Sequence, residues 1–192
     1  MSSRCLTKQE IKAQAASLGF VACGVVQAAP VEEPFAAHYL RRVQLGHFAG
    51  MDYMTRHVEM RLQPALLHPG VQTIVSLALN YMPARRQPAL CLYAQGEDYH
   101  DVMRGRLRML MERLGAHGRC FVDTAPVMER YWAWRSGVGT LCRNGLVAVP
   151  GYGPTVFLGE LFLEEPCDAF DVPLQPSPAL DEGWQDFCPA LT

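Results

Sequence analysis

Leu146-Val-Ala-Val-Pro150-Gly-Tyr-Gly-Pro154-Thr-Val-Phe-Leu-Gly-Glu160-Leu-Phe-Leu163 decides the fold class. Two apolar runs, residues 146–149 and 155–163, flank a segment of prolines, glycines and one tyrosine. Proline presets φ and glycine supplies the positive φ that tight turns need, so the segment reads as a hairpin turn. A hairpin makes its two strands antiparallel, which excludes a sheet built only of parallel βαβ units.

Working outward, residues 71–81 form a largely apolar run, as a central strand buried on both faces requires. Shorter strands are predicted over 20–26, 89–94 and 120–122. Thr7 and Glu10 form a capping box that opens a helix, with Ile11, Ala15 and Leu18 on one face and Gly19 ending it. Further helices are predicted over 35–45 and 64–67, with short helical turns over 47–57. The clearest helix spans 98–114, where Val102, Leu107, Leu110, Met111 and Leu114 recur at helical spacing. Arg104 and Arg108 share one face of it. Pro126 is expected to start another helix, running to about 134. The elements mix without strict alternation, so the predicted fold is α+β: a mainly antiparallel sheet flanked by helices. Residues 1–165 read as one domain. Residues 166–192, rich in proline, acids and small residues, read as an extended tail wrapping that domain or a partner.

At 192 residues and 49% hydrophobic, the chain can bury one core, and wholesale disorder is excluded. Net charge is −2, so no basic surplus exists for gripping nucleic acid through phosphates, and contact with tRNA is expected to be weak or local. Lys8 and Lys12 are the only lysines among 17 basic residues; the rest are arginines. No signal-like or membrane-length apolar run is present, which points to a cytosolic protein. Cysteines stand at 5, 23, 91, 120, 142, 167 and 188, an odd number without C-x-x-C spacing. That pattern encodes neither a disulfide framework nor a zinc ribbon nor an iron–sulfur cluster, and most of these thiols are expected to be core residues.

Three segments resemble, in order and spacing, the N-terminal part of epoxyqueuosine reductases, cobalamin-dependent enzymes of queuosine synthesis in tRNA. The first is Gly50-Met-Asp-Tyr-Met-Thr-Arg56, continuing through Arg61-Leu-Gln-Pro64 to Leu67-His-Pro-Gly70. The second is Gly96-Glu-Asp-Tyr-His100 and the arginine-rich helix after it. The third runs Val122-Asp-Thr-Ala-Pro126, Glu129-Arg130, Gly137-Val-Gly139, Asn144-Gly145 and Phe157-Leu-Gly-Glu160. The resemblance covers about residues 8–163. It implies a sheet-and-helix fold related to flavin nitroreductases and cobalamin-processing proteins. Family members follow this part with cysteine runs that hold two four-iron clusters; here Cys188-Pro189 is the one echo. The glycine motif also departs from the family pattern, reading Gly139-Thr-Leu-Cys-Arg143.

What the resemblance implies for chemistry is reductive removal of an epoxide oxygen. Cobalamin would deliver electrons to carbon and a carboxylic acid would deliver a proton to oxygen. Asp123 falls at the position of that acid, where burial would favour the protonated form such a role needs. From the residues alone, Asp123-Thr-Ala-Pro126 before a helix also reads as an ordinary N-cap, and one residue could do both. Gly137 and Gly139 are expected to let backbone approach the corrin ring. Asn144 is expected to pair with an amide arm, Tyr99 and His100 to offer polar tips, and Arg104 or Arg143 to meet the tail phosphate. His100 as a cobalt ligand is the less favoured reading, since a histidine at a helix start more often caps. Glu129 or Arg130 is expected to hold the glycine loop.

Four functions remain open on the sequence. The leading one is a reductase fed by a separate ferredoxin or flavin donor. The others are a non-catalytic corrinoid carrier, a flavin (FMN) reductase, and a cofactor-free interaction protein. Oligomeric state is not readable from these residues. A Rossmann-type dehydrogenase is excluded by the missing glycine fingerprint.

Overall fold

The computed structural model describes residues 4–83, 85–142 and 144–174. Among these, four antiparallel strands form the main sheet: β1 (Ala22–Gln27), β2 (Thr73–Asn80), β3 (Gly118–Phe121) and β6 (Val156–Leu163). Their spatial order is β1-β2-β6-β3. Strands β2 and β6 run together from Thr73 opposite Leu163 to Asn80 opposite Val156. The α+β expectation and the antiparallel sheet are therefore what the chain forms.

Successive residues of a strand point to opposite faces, and each face carries its own core. Val75 and Leu77 of β2, with Leu161 and Leu163 of β6, pack under α1 (Lys8–Ser17) and α5 (Tyr99–Leu114). Ile11 and Ala15 supply α1's side of that core; Met103, Leu107, Leu110 and Leu114 supply α5's, the last three as their spacing predicts. On the other face, Ile74, Ala78 and Phe162 pack against Phe35 of α2 (Glu33–Gln44) and against α6 (Glu129–Arg135). Tyr131, Trp132 and Trp134 of α6 are buried there, with Phe35 4.8 Å from Trp134 ring to ring. Gly159 sets how close α5 comes to the sheet: a Cβ there would lie 2.6 Å from Met103 Cε. Two short helices, α3 (Val58–Leu62) and α4 (Pro64–Leu67), bridge from α2 to β2.

Helix starts follow the capping chemistry in the sequence. Thr7 Oγ1 accepts the Glu10 N–H at 3.2 Å, and Asp98 Oδ1 accepts the His100 N–H at 2.9 Å. Gly115, at φ +57, ends α5.

Three local expectations fail. The Pro150–Pro154 turn forms, with Val149 and Gly153 exchanging backbone hydrogen bonds, but it joins no β5–β6 hairpin. Strand β5 (Val147–Ala148) pairs instead with β4 (Thr140–Leu141) in a separate two-stranded sheet. β6 is taken by β2 along one edge and by β3 from Glu160 onward on the other. Its remaining stretch walls a hollow described below. Second, residues 89–94 form no strand; Leu92–Ala94 is a 3-10 turn, and the Gln95 side chain binds the Gln87 and Leu90 carbonyls to pin the loop. Third, the helix expected from Pro126 begins only at Glu129, because residues 122–127 fold into tight turns closed by Thr124 N–H to Val122 O and Val127 N–H to Ala125 O.

Residues 166–174 run extended across the domain. Leu6 bridges Cys167, and Asp171 bonds both backbone groups of Val25 on the β1 edge. Lys12 and Lys8 pair with the same Asp171 carboxylate, at 2.8 and 3.2 Å. Burial works to raise the Asp171 pKa, but the Lys12 and Val25 hydrogen bonds outweigh it and hold the carboxyl below the usual 3.8. Cys5 and Cys91 are exposed thiols, against the expectation of a core role, whereas Cys167 is buried.

Two outcomes test this packing. Leu107→Ala, at a fully buried α5 position, should cost about 2–5 kcal/mol in urea or guanidinium unfolding. Because Asp171 has a depressed folded pKa, its contribution is fully present above the ordinary aspartate value and is lost as pH falls through the lower folded one. Asp171→Asn should therefore remove part of the acid-side slope of stability against pH. An unchanged slope would show that Asp171 does not hold the strap.

Candidate functional site

Strand β3 ends at Phe121 and delivers Asp123 two residues later, at the tip of a tight turn. Asp123 sits at φ +55, a left-handed conformation uncommon outside glycine and met most often by Asn and Asp. Such a conformation persists when neighbours hold it, and three elements do. From α5, Tyr99 Oη donates to Asp123 Oδ2 at 2.7 Å. Its ring stacks on Phe157 of β6, centroids 4.2 Å apart and nearly parallel. From the start of α6, Glu129 Oε1 accepts the backbone N–H of Asp123 at 2.6 Å.

The turn of α5 adds two more predicted residues. His100 Nδ1 meets Asp98 at 2.9 Å, and its Nε2 stands 3.8 Å from Asp123 Oδ2. Arg104 reaches the hydroxyl of Thr124, the next residue, at 3.4 Å. So Tyr99, His100, Arg104 and Asp123 do come together. His100 is itself capped, its backbone N–H and Nδ1 both meeting the N-cap Asp98, while its Nε2 approaches Asp123.

Asp123 caps nothing: α6 starts six residues later behind Met128, which makes no side-chain cap bond. Nor is it buried, since its side chain is 62% exposed. Two more acids lie beneath it, Glu129 half-buried and Glu160 fully buried. Burial pushes Glu129 up to about 7; the Asp123 N–H, Arg130 and Arg61 pull down and the Asp123 charge pushes further up. Glu160 of β6 is fully buried, bonded by Ser76 at 3.3 Å, and its Oε2 has no hydrogen-bond partner. Burial first, then the Glu129 charge, raises Glu160 well above the carboxylate range. Burial and the Asp123 hydrogen bond likewise raise the Tyr99 phenol, which stays a donor.

Two hollows meet at this turn and share Asp123, Glu129 and Arg130. One, of about 200 Å³, is walled by Tyr99, Leu146, Val147 and by Val156, Phe157 and Leu158 of β6. The other, of about 460 Å³, opens toward α2 and the loop after it, past Tyr39, Phe48, Met51, Tyr53 and Arg61.

The glycines stand elsewhere. At Gly139 a Cβ would lie 2.5 Å from Val147 Cγ1, and at Gly137, φ +71, 2.6 Å from the Val172 carbonyl. Both glycines thus admit close approach of the chain's own β5 and strap, and neither lines the two hollows at the Asp123 turn. Asn144 Oδ1 accepts the Leu146 N–H at 3.0 Å, and Asn144 lines neither hollow. Arg143 lies outside the described residues. Glu129 holds the aspartate turn, not the glycine loop it was expected to hold; Arg130 Nη1 comes 3.5 Å from where a Gly145 Cβ would be. Sequence reasoning missed Glu160, although a lone acid inside the apolar run 156–163 was the available signal.

Among the described residues, no helix is long and apolar enough to cross a membrane, and no group of three His, Cys, Asp or Glu is placed to hold a metal ion.

Comparison with known proteins agrees with this geometry. The family described as epoxyqueuosine reductase QueG, DUF1730, matches residues 61–124. The epoxyqueuosine reductase of Cyclobacterium marinum is 39% identical over 82% of this chain and 54% of its own length. That of Escherichia coli is 34% identical over 91% of this chain and 48% of its own. An epoxyqueuosine reductase solved with an epoxyqueuosine-modified tRNA-Tyr stem loop superimposes with a TM-score of 0.78 at 30% identity, over 88% of this chain and 48% of that one. A Bacillus subtilis enzyme, solved with its catalytic aspartate loop swung out of the active site, gives 0.74 at 28% identity, over 90% and 48%. A catabolic reductive dehalogenase, 15% identical with a TM-score of 0.58 over 92% of this chain and 23% of that one, shares the fold alone. The chain spans about half the length of the relatives it matches. On its fold, its aspartate turn and these matches, the chain belongs to the epoxyqueuosine reductase family.

Proposed function

We propose that this chain is the acid-bearing, corrinoid-binding part of an epoxyqueuosine reductase, acting in queuosine modification of tRNA with electrons from a separate donor. The observation that carries the reading is Asp123. It is a non-glycine residue in a left-handed turn, fixed from one side by Tyr99 and from below by Glu129, at the meeting point of two hollows. Strained turns of this kind gather at functional sites. The Bacillus subtilis relative, whose catalytic aspartate loop moves, supports giving Asp123 the same part. Relatives named as reductases favour an enzyme over a carrier or a flavin protein.

The residues present fit a corrinoid in kind. Neither hollow is large enough to enclose one, but the smaller offers apolar contact from Leu146, Val147, Phe157 and Leu158. Arg130 offers donors to amide carbonyls there. When bound, the corrinoid would supply the electrons that break the carbon–oxygen bonds. The chain's own part is acid chemistry. Asp123, steered by Tyr99, presents its carboxyl to the epoxide oxygen and gives it a proton as negative charge develops there. Arg104 and His100 border the same turn and fix its outer side. The exposed face of Asp123 is what a substrate would cover, shutting out water as it binds.

Purified protein incubated with hydroxocobalamin and freed of excess ligand should keep corrin absorption bands. Incubation with FMN should leave it colourless. Retained flavin bands without corrin bands would turn the reading to a flavin reductase. With reduced methyl viologen and an epoxyqueuosine-containing stem loop, Asp123→Asn should keep corrinoid retention but lose turnover by about 10²–10⁴-fold. Undiminished turnover in that variant would remove Asp123 from the chemistry.

A further inference from the structure

Removing an epoxide oxygen as water consumes two electrons and two protons, leaving a carbon–carbon double bond. One carbon–oxygen bond breaks as the first proton reaches oxygen; the second breaks as the hydroxyl takes another proton and leaves as water. Asp123 carries one proton at a time. While substrate covers it, exchange with bulk water is cut off, so the second proton needs a source inside the site.

Glu129 is placed to be that source. It borders both hollows that Asp123 borders, and its Oε1 is occupied by the Asp123 N–H. A neutral carboxyl still accepts through its carbonyl oxygen while its other oxygen carries a proton, so holding the turn and storing a proton are compatible. The groups facing Glu129 come from every neighbouring element: Asp123 from the turn, Arg130 from α6, Arg61 from α3, Tyr99 from α5 and Glu160 from β6. Burial raises Glu160 beneath it well above its ordinary value, which favours the neutral form and limits the charge this acid adds. Burial brings Glu129 to about 7, where it is protonated in a large fraction of molecules at neutral pH.

We propose that Glu129 stores the second proton of the reaction and returns it to Asp123 across the hollow the two residues line. This rests on the epoxide-reduction reading above. Asp123 gives its proton to the epoxide oxygen and becomes a carboxylate. Glu129 then protonates it, and the restored acid protonates the departing hydroxyl. The external donor supplies both electrons, and Glu129 recovers its proton from solvent after product leaves. His100, 3.8 Å from Asp123 Oδ2, is the rival route from the exposed side.

Glu129→Gln keeps an acceptor oxygen for the Asp123 N–H but carries no acidic proton. Two measurements on the full chain decide the matter. Carboxyl carbon NMR of glutamate-labelled protein, without cofactor or substrate, should show one carboxyl titrating near 7 that disappears in Glu129→Gln. Multiple-turnover reduction of the stem loop, with hydroxocobalamin and reduced methyl viologen, should fall about tenfold or more in this variant. It should also lose its decline as pH rises through 7. In a single turnover of Glu129→Gln, opening of the first carbon–oxygen bond retained while loss of the hydroxyl as water is slowed, with Glu129→Asp partly restoring the steady state, would separate proton storage from a collapsed turn. An ordinary glutamate titration at this position, or an unchanged rate and pH profile in Glu129→Gln, sinks the proposal and leaves the reductase reading intact. Loss of the profile in His100→Gln alone would assign the second proton to His100 instead. A wild-type chain that retains no corrinoid and reduces no epoxide fails at the earlier step, and the proton store falls with it.

Discussion

Strand β6 must satisfy two cores and two neighbouring strands at once, and the rest of the molecule is arranged around that demand. Its odd residues, Leu161 and Leu163, face the α1–α5 layer, and Phe162 faces α6. Pleat alternation leaves the position between Gly159 and Leu161 on the α6 face, and an acid occupies it. Burying Glu160 there costs free energy unless it is neutral or paired. One serine hydroxyl is its hydrogen-bond partner, and burial raises its pKa toward the neutral form. A neutral acid in the sheet is compatible with a second acid, Glu129, directly above at the start of α6. Two charged carboxylates in the same dry space would repel strongly.

The same strand sets the reach of the site. Where β3 stops pairing, at Glu160, the free edge of β6 from Val156 to Leu158 becomes a wall, and Phe157 turns its ring onto Tyr99. That stacking fixes the phenol, and the phenol fixes the Asp123 carboxyl. Aspartate is thus positioned by its backbone from α6 and by its side chain from α5, two helices on opposite faces of the sheet. A single carboxyl held by two layers stays aimed without being buried.

Much of this was legible in the residues, for identifiable reasons. Periodicity at 3.6 placed α5 and its buried face, because Met103 apart every core position there was a spaced apolar residue. The apolar run over 71–81 placed the central strand, and the family motifs brought Tyr99, His100, Arg104 and Asp123 to one place. Failures came where local chemistry has more than one outcome. The Pro150–Pro154 turn formed as its residues dictate, yet turn chemistry does not say which edge the preceding strand will find, and β5 found β4. Gly137 and Gly139 were read as openings for a ligand. A missing side chain serves equally for close approach of the chain to itself, and here the strap and β5 make that approach. Ala125-Pro126 looked like a helix start, but the left-handed aspartate before it sends the chain through two tight turns first.

The division between an exposed acid and a half-buried one explains why neither could do the other's work. Asp123 meets solvent and can reach a substrate that arrives from outside. Glu129 is half-buried, which raises its carboxyl to about 7, and it lies under the turn with one oxygen committed to the Asp123 backbone. Environments that drive two carboxyls apart are how one fold assigns different acid–base roles to similar groups. Here the hydrogen bond linking them is made through the backbone, so Glu129 can change protonation without releasing the turn that aims its neighbour. Positional and protonic control therefore reside in one side chain, and the strained aspartate turn is the structural cost of bringing them to the same point.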